Sequence, residues 1–168
     1  LFLDTRQDLY DATSRGALTS YLSAAPAQVN LTLNCRNTTP IALATSLLSR
    51  SPLVQVLRAE GPQVETRWFA DSTDQSQFVA SKVRTLLAGG VDAHKIALLS
   101  PYTRERSQGV ANLSALGVPV ADISRDGWSR GHLVFSTIAG FKGLEADAVI
   151  LMDGFDISDA QAAVYYVG

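Results

Sequence analysis

Two apolar runs separated by twelve residues sit near the carboxyl end of this chain, and they restrict its fold more than any other stretch. Leu133-Val134-Phe135 is apolar and breaks at Ser136-Thr137, and Ala148 to Met152 is apolar again. Between them lies a polar turn bearing Gly140, Lys142, Gly143 and Glu145. The pattern predicts strand, polar loop, short turn, strand. Continuous apolar strands of this kind belong to parallel sheets buried on both faces, and the polar residues between them then gather at one sheet edge, where open α/β sheets bind ligands. Two glycines let backbone N–H groups approach an anion, and Lys142 adds charge. On the residues alone the turn is either a phosphate loop or a plain connection carrying a surface lysine.

The rest of the chain repeats the alternation. Leu31 to Leu33 reads as a short strand, and Thr38 or Thr39 can cap a helix that has Pro40 in its first turn and continues from Ile41 to Leu48. Arg36 is then expected at a strand-to-helix junction, placed either to grip phosphate or to pair with a neighbouring carboxylate. Val54 to Leu57 is a candidate strand, Glu60-Gly61-Pro62 a turn, and Val64 to Phe69 alternates as a strand does. Ser72-Thr73-Asp74-Gln75 has capping-box form ahead of a helix with the stripe Val79, Val83, Leu86, Leu87, closed by Gly89-Gly90. Ile96 to Leu99 reads as a buried strand, Thr103 to Leu116 as a polar helix ending at Gly117, and Val118 to Ile123 as a short strand. Ser124 to Gly131 is an expected exposed loop whose Trp128 serves either as a packing anchor or as a base-stacking platform. Strands alternating with helices from Leu31 to Met152 define an α/β fold with a mostly parallel sheet flanked by helices.

Composition narrows the function classes. The chain has 168 residues, 46% of them hydrophobic, enough for a real core, and a net charge of −2, so no global basic field attracts nucleic acid. One cysteine, Cys35, and two scattered histidines, His94 and His132, supply neither an intramolecular disulfide nor a cysteine metal site. Cys35 is expected to be a buried small hydrophobe rather than a nucleophile. With no bilayer-spanning apolar run and no leading signal segment, a cytoplasmic protein without membrane contact is the expectation.

Four stretches carry a resemblance. Thr137-Ile138-Ala139-Gly140-Phe141-Lys142-Gly143-Leu144-Glu145 resembles the fifth motif of UvrD/Rep-type superfamily 1 DNA helicases, with the same strand following it. Asn34-Cys35-Arg36-Asn37-Thr38-Thr39-Pro40-Ile41 resembles their fourth motif, with Cys35 where the family has an adenine-stacking tyrosine. Asp4-Thr5-Arg6-Gln7-Asp8-Leu9-Tyr10 resembles the third, although on the residues alone Asp4 and Gln7 read as a helix cap and a solvated side chain. Tyr166-Val167-Gly168 is similar to the start of the sixth, ahead of its finger arginine.

The resemblance implies a RecA-like fold, with residues 1–24 closing a first motor domain and 25–168 forming most of a second. It implies ATP with Mg in the intact parent, none bound tightly by this chain, and single-stranded DNA and the first motor domain as partners. By the same likeness Gln7 and Arg36 address the γ-phosphate, the Gly143 backbone assists, Glu145 holds the ribose hydroxyl, and Thr137 contacts the DNA backbone. Ala139 stands where the family often has a histidine. The sequence has no GxxxxGK[ST] loop and spans about 100 residues between Arg36 and Thr137, so a trimmed motor domain without ATPase activity of its own is expected. A non-catalytic nucleic-acid or protein-binding module derived from a helicase and an unrelated α/β nucleotide-binding domain are the alternatives. Nuclease chemistry on Glu145 and Asp147 lacks a partner histidine or second acidic cluster, and no metal site is expected.

Overall fold

The computed structural model describes residues 23–24, 33–49 and 52–154. Gln7, the third-motif stretch and the approach to the sixth motif lie outside the described residues, as do Leu31 and Thr32. Ser23 and Ala24 are helical. The boundary expected near residue 24 borders residues that are not described.

The chain divides into two compact units, one holding the described residues up to Glu65 and the other those from Thr66 to Gly154. In the first, β1 (Leu33–Thr38) leads into α1 (Thr39–Ser49) and on to β2 (Gln55–Arg58), and β1 pairs with β2 in parallel. This is a βαβ unit, the only short route between adjacent parallel strands. Its ladder is irregular between Asn34 and Thr38, where the chain bulges. The expected helix over 41–48 is present. Thr38, however, caps nothing: its hydroxyl is buried with no hydrogen-bond partner.

In the second unit α2 (Ser72–Ala88) precedes a four-stranded sheet of β3 (Ile96–Ser100), β4 (Val120–Asp122), β5 (Leu133–Thr137) and β6 (Ala148–Leu151). Strand order is β4-β5-β3-β6 and every pairing is parallel, so the α/β fold read from the alternation is present. The central strands are saturated with apolar burial: all five residues of β3 are buried, as are Leu133, Val134 and Phe135. On one face Ile96, Leu98, Leu133 and Phe135 meet Val79, Ala80 and Val83 of α2 and Val110 and Leu113 of α3 (Gln108–Ala115). Each large side chain removed from water there is worth about 1.5–3 kcal/mol.

Helix ends follow the glycines. After α2, Val91 N–H donates to Leu86 O and Gly90 N–H to Leu87 O, with Gly90 at φ +90°. After α3, Val118 N–H donates to Leu113 O and Gly117 N–H to Ser114 O, with Gly117 at φ +76°. Both are Schellman closures, which place a left-handed residue just past the helix.

Four expectations need correction. The N-cap of α2 is Asp71, not Ser72, because the Asp71 carboxylate reaches Thr73 N and Asp74 N at 2.8 and 2.9 Å. Leu87, expected in the apolar stripe, is exposed. The helix expected from Thr103 starts at Gln108, since Thr103 O is used by Arg106 and Ser107 N–H groups in a separate turn and Ser107 then caps α3 through Val110 N. Val64 to Phe69 forms no strand: among the described residues no strand pairs with it, and its residues are exposed up to Trp68. The loop expected over 124–131 begins with a single helical turn, α4 (Ile123–Asp126), capped by Asp122.

Candidate functional site

Within the second unit the fifth-motif residues occupy one end of the sheet. Thr137 is the last residue of β5, and its neighbour Ile138 donates its N–H to Ser100 O at the end of β3, 3.0 Å away. The carboxyl ends of the two central strands are thereby tied together. From Thr137 the chain closes a tight turn in which Phe141 N–H donates to Thr137 O (3.0 Å) and Gly140 N–H to the Thr137 hydroxyl (3.0 Å). A hydroxyl that accepts one bond retains its own proton to donate, the form a phosphate contact requires. Gly140 must be glycine for space: a Cβ there would stand 2.9 Å from both the Ser136 and Thr137 hydroxyls.

Gly143 differs in kind. It has φ +84°, and a Cβ built on it would meet nothing within 4 Å. The backbone there borders open space, and no acceptor for its N–H is found among the described residues. Ile138 and Phe141 are buried and anchor the turn, whereas Lys142 and Glu145 are exposed beyond it. Asp147 then fastens the descending chain by two bonds, its N–H to Lys95 O at 2.9 Å and its carboxylate to Lys95 Nζ at 3.2 Å. Pairing to Lys95 takes Asp147 out of any two-carboxylate arrangement with Glu145. Among the described residues no group of three His, Cys, Asp or Glu side chains could hold a metal ion.

Arg36 belongs to the first unit. The expected junction is shifted: β1 runs on to Thr38, so Arg36 lies inside the strand, in its bulge, three residues ahead of α1. Asn34 makes the bulge, its side-chain oxygen accepting from both Arg36 N–H and Asn37 N–H at 3.0 Å. Such an Asx turn competes with the ladder and pushes the intervening residues outward. Arg36 is exposed as a result. Cys35 is exposed too, not buried as expected, for the same reason.

A polar cluster that sequence reading passed over closes the same end of the sheet. Asp153, two residues past β6, accepts from the hydroxyls of Ser100 (2.7 Å) and Ser107 (2.6 Å) and from Gln75 Nε2 (3.0 Å), and returns its own N–H to Gln75 Oε1 (3.0 Å). It does so at φ +55°, in the left-handed region, where Asp is among the few tolerated residues. One carboxylate thus joins the start of α2, the end of β3, the cap of α3 and the exit of β6. Ser100 links this clamp to the Thr137 turn, because its hydroxyl faces Asp153 while its carbonyl holds Ile138. The signal available in the sequence was a serine ending each of two apolar runs, Ile96–Ser100 and Leu133–Ser136, with an aspartate after the third.

A concavity of about 440 Å³ lined by Asp92, Ala93, His94, Arg130 and Gly131 opens at the other end of the strands, before β3 and β5, and holds none of the motif residues. No helix among the described residues is long and apolar enough to cross a membrane. No family model matches the chain, and no curated protein matches it.

Proposed function

We propose that the chain contributes the second RecA-like motor domain of an ATP-dependent DNA helicase or translocase of the UvrD/Rep type. The observation that supports this best is the position of Thr137 to Glu145 at the carboxyl end of the central strands of a parallel sheet, the edge at which α/β folds bind ligands. The turn there has the parts the motif asks for: a hydroxyl with a proton to give, a left-handed glycine facing open space, and an exposed carboxylate two residues on.

In this reading Thr137 donates to a phosphate of single-stranded DNA. Gly143 N–H and the Glu145 carboxylate bind nucleotide, the latter through ribose hydroxyls. Arg36, exposed on its bulge, grips the γ-phosphate, and Gln7 is assigned the same role. ATP with Mg is the substrate; the charge on the transferring phosphoryl group is offset by Arg36 as it develops. A cytoplasmic location belongs to the same reading.

The test is steady-state ATP turnover by the full gene product containing this chain, with and without single-stranded DNA, with Arg36→Ala alongside. DNA-stimulated turnover is expected, reduced roughly 100-fold or more by Arg36→Ala, the scale of losing one transition-state charge partner. The chain by itself is expected not to turn over ATP. Turnover by the chain alone that vanishes on Arg36→Ala would contradict its placement as one half of a motor. A folded full product without turnover would replace the motor by a binding module.

A further inference from the structure

The segment expected to be a strand over 64–69 carries a different feature. It has no regular secondary structure, and at its end Trp68 is 80% exposed, the highest value among the exposed large hydrophobics of the described residues. The residues on either side of Trp68 are fixed, not loose. Phe69 packs on Phe78 of α2 with ring centroids 5.5 Å apart. The Arg67 guanidinium lies 4.5 Å from the centre of the Phe78 ring and 5.5 Å from that of Phe69, and Lys82 Nζ is 5.3 Å from Phe78. Phe78 and Lys82 are one helical turn apart, so α2 presents them on one face. An indole in water is thus held between two anchored residues, beside two cations seated on one aromatic pair.

We propose that Trp68 is a base-stacking platform for single-stranded nucleic acid, with Arg67 and Lys82 placed for the flanking phosphates. Stacking needs a rigid aromatic face open to solvent and tolerates any base, and cations within a few ångströms supply the backbone term. A guanidinium stacked on phenyl rings keeps its N–H edges for phosphate oxygens. The platform shares its ligand class with the reading above but uses none of the residues that carry it.

The test uses tryptophan emission and fluorescence anisotropy with an oligothymidylate. In a Trp128→Phe background Trp68 is the sole emitter, and because its side chain is exposed, Trp68→Ala should leave folding by circular dichroism unchanged. The expected result is quenching of Trp68 on addition of the oligonucleotide, with affinity weakened roughly 5- to 100-fold by Trp68→Ala. Arg67→Ala should weaken binding and lower the salt slope by about one. Unquenched Trp68, with oligonucleotide binding lost on Thr137→Ala and kept in Trp68→Ala, would overturn the platform and leave the motor reading standing. Quenching with no ATP turnover by the full product would do the reverse. Emission unmoved by any oligonucleotide would overturn the platform and leave this surface to a protein partner.

Discussion

Replacing Asp153 by alanine should cost more stability than any substitution at an exposed motif position, and the geometry sets the size. The carboxylate accepts three hydrogen bonds at 2.6, 2.7 and 3.0 Å, two of them from Ser100 and Ser107, which are 0% and 1% exposed. A buried donor left without an acceptor costs about 1–3 kcal/mol, so the two hydroxyls alone put the loss at roughly 2–6 kcal/mol. Each hydroxyl can rotate to recover a weaker bond, which favours the lower half of that range. Alanine in the left-handed region adds about 1–2 kcal/mol of its own. The expected total is about 3–6 kcal/mol. Asparagine keeps one carbonyl acceptor and tolerates φ +55°, so Asp153→Asn should lose only about 1–2 kcal/mol. Urea unfolding followed by circular dichroism measures both, and the cycle with Ser107→Ala should return a coupling of about 1–2 kcal/mol. A loss below about 1 kcal/mol for Asp153→Ala would refute the view that this carboxylate holds the carboxyl edge together.

Two further outcomes follow from other contacts. Gly109→Ala should destabilise by about 1–2 kcal/mol in the same urea experiment even though alanine is the better helix residue, because its Cβ would stand 2.9 Å from Asp153 Oδ1 and Gln75 Nε2 and separate them; a stabilised variant would argue against it. The Glu105 carboxyl is held below its usual 4.5 by its own backbone N–H, then by the Thr103 hydroxyl and by Arg125, with which it pairs. A lowered folded-state value means the pair supports the fold above the ordinary carboxylate range and loses that support as pH falls through the folded value. Glu105→Gln should therefore flatten the acid side of the stability profile below about pH 4.5, by a small amount since the pair is exposed.

The layout of the second unit was legible because its signals are local and strong. Buried parallel strands read as apolar runs, and glycines at positive φ mark where helices stop, so β3, β5, β6 and the ends of α2 and α3 fall within a residue or two of expectation. Starts were harder. Asp71, Ser107 and Asp122 cap helices through bonds to N–H groups two or three residues on, and neighbouring Ser, Thr and Asp residues offer the same chemistry at adjacent positions. Alternation over 64–69 misled because a strand needs a partner, which is not written in its own residues. At the site, Thr137, Gly143 and Glu145 could be named from one contiguous stretch. The Asp153 clamp could not, since its members are 46, 53 and 78 residues away in sequence and only the fold makes them neighbours.

The left-handed turn at Asp153 also acts on register. Side chains alternate along β6: Ala148 and Ile150 face the helices, while Val149 and Leu151 lie exposed on the opposite face. Met152 follows with its N–H on Leu99 O at 2.8 Å, so strand geometry would send the next side chain away from Gln75 and Ser107. Positive φ reverses it. A slip of β6 by one residue against β3 would put Met152 in water and carry the carboxylate off its three donors at once, so a neighbouring register forfeits polar and apolar terms together. Edge strands are ordinarily the members of a sheet most free to slide. Here the last polar residue after the strand works as a stop, fixing how far β6 can travel past β3 and where the chain leaves the sheet.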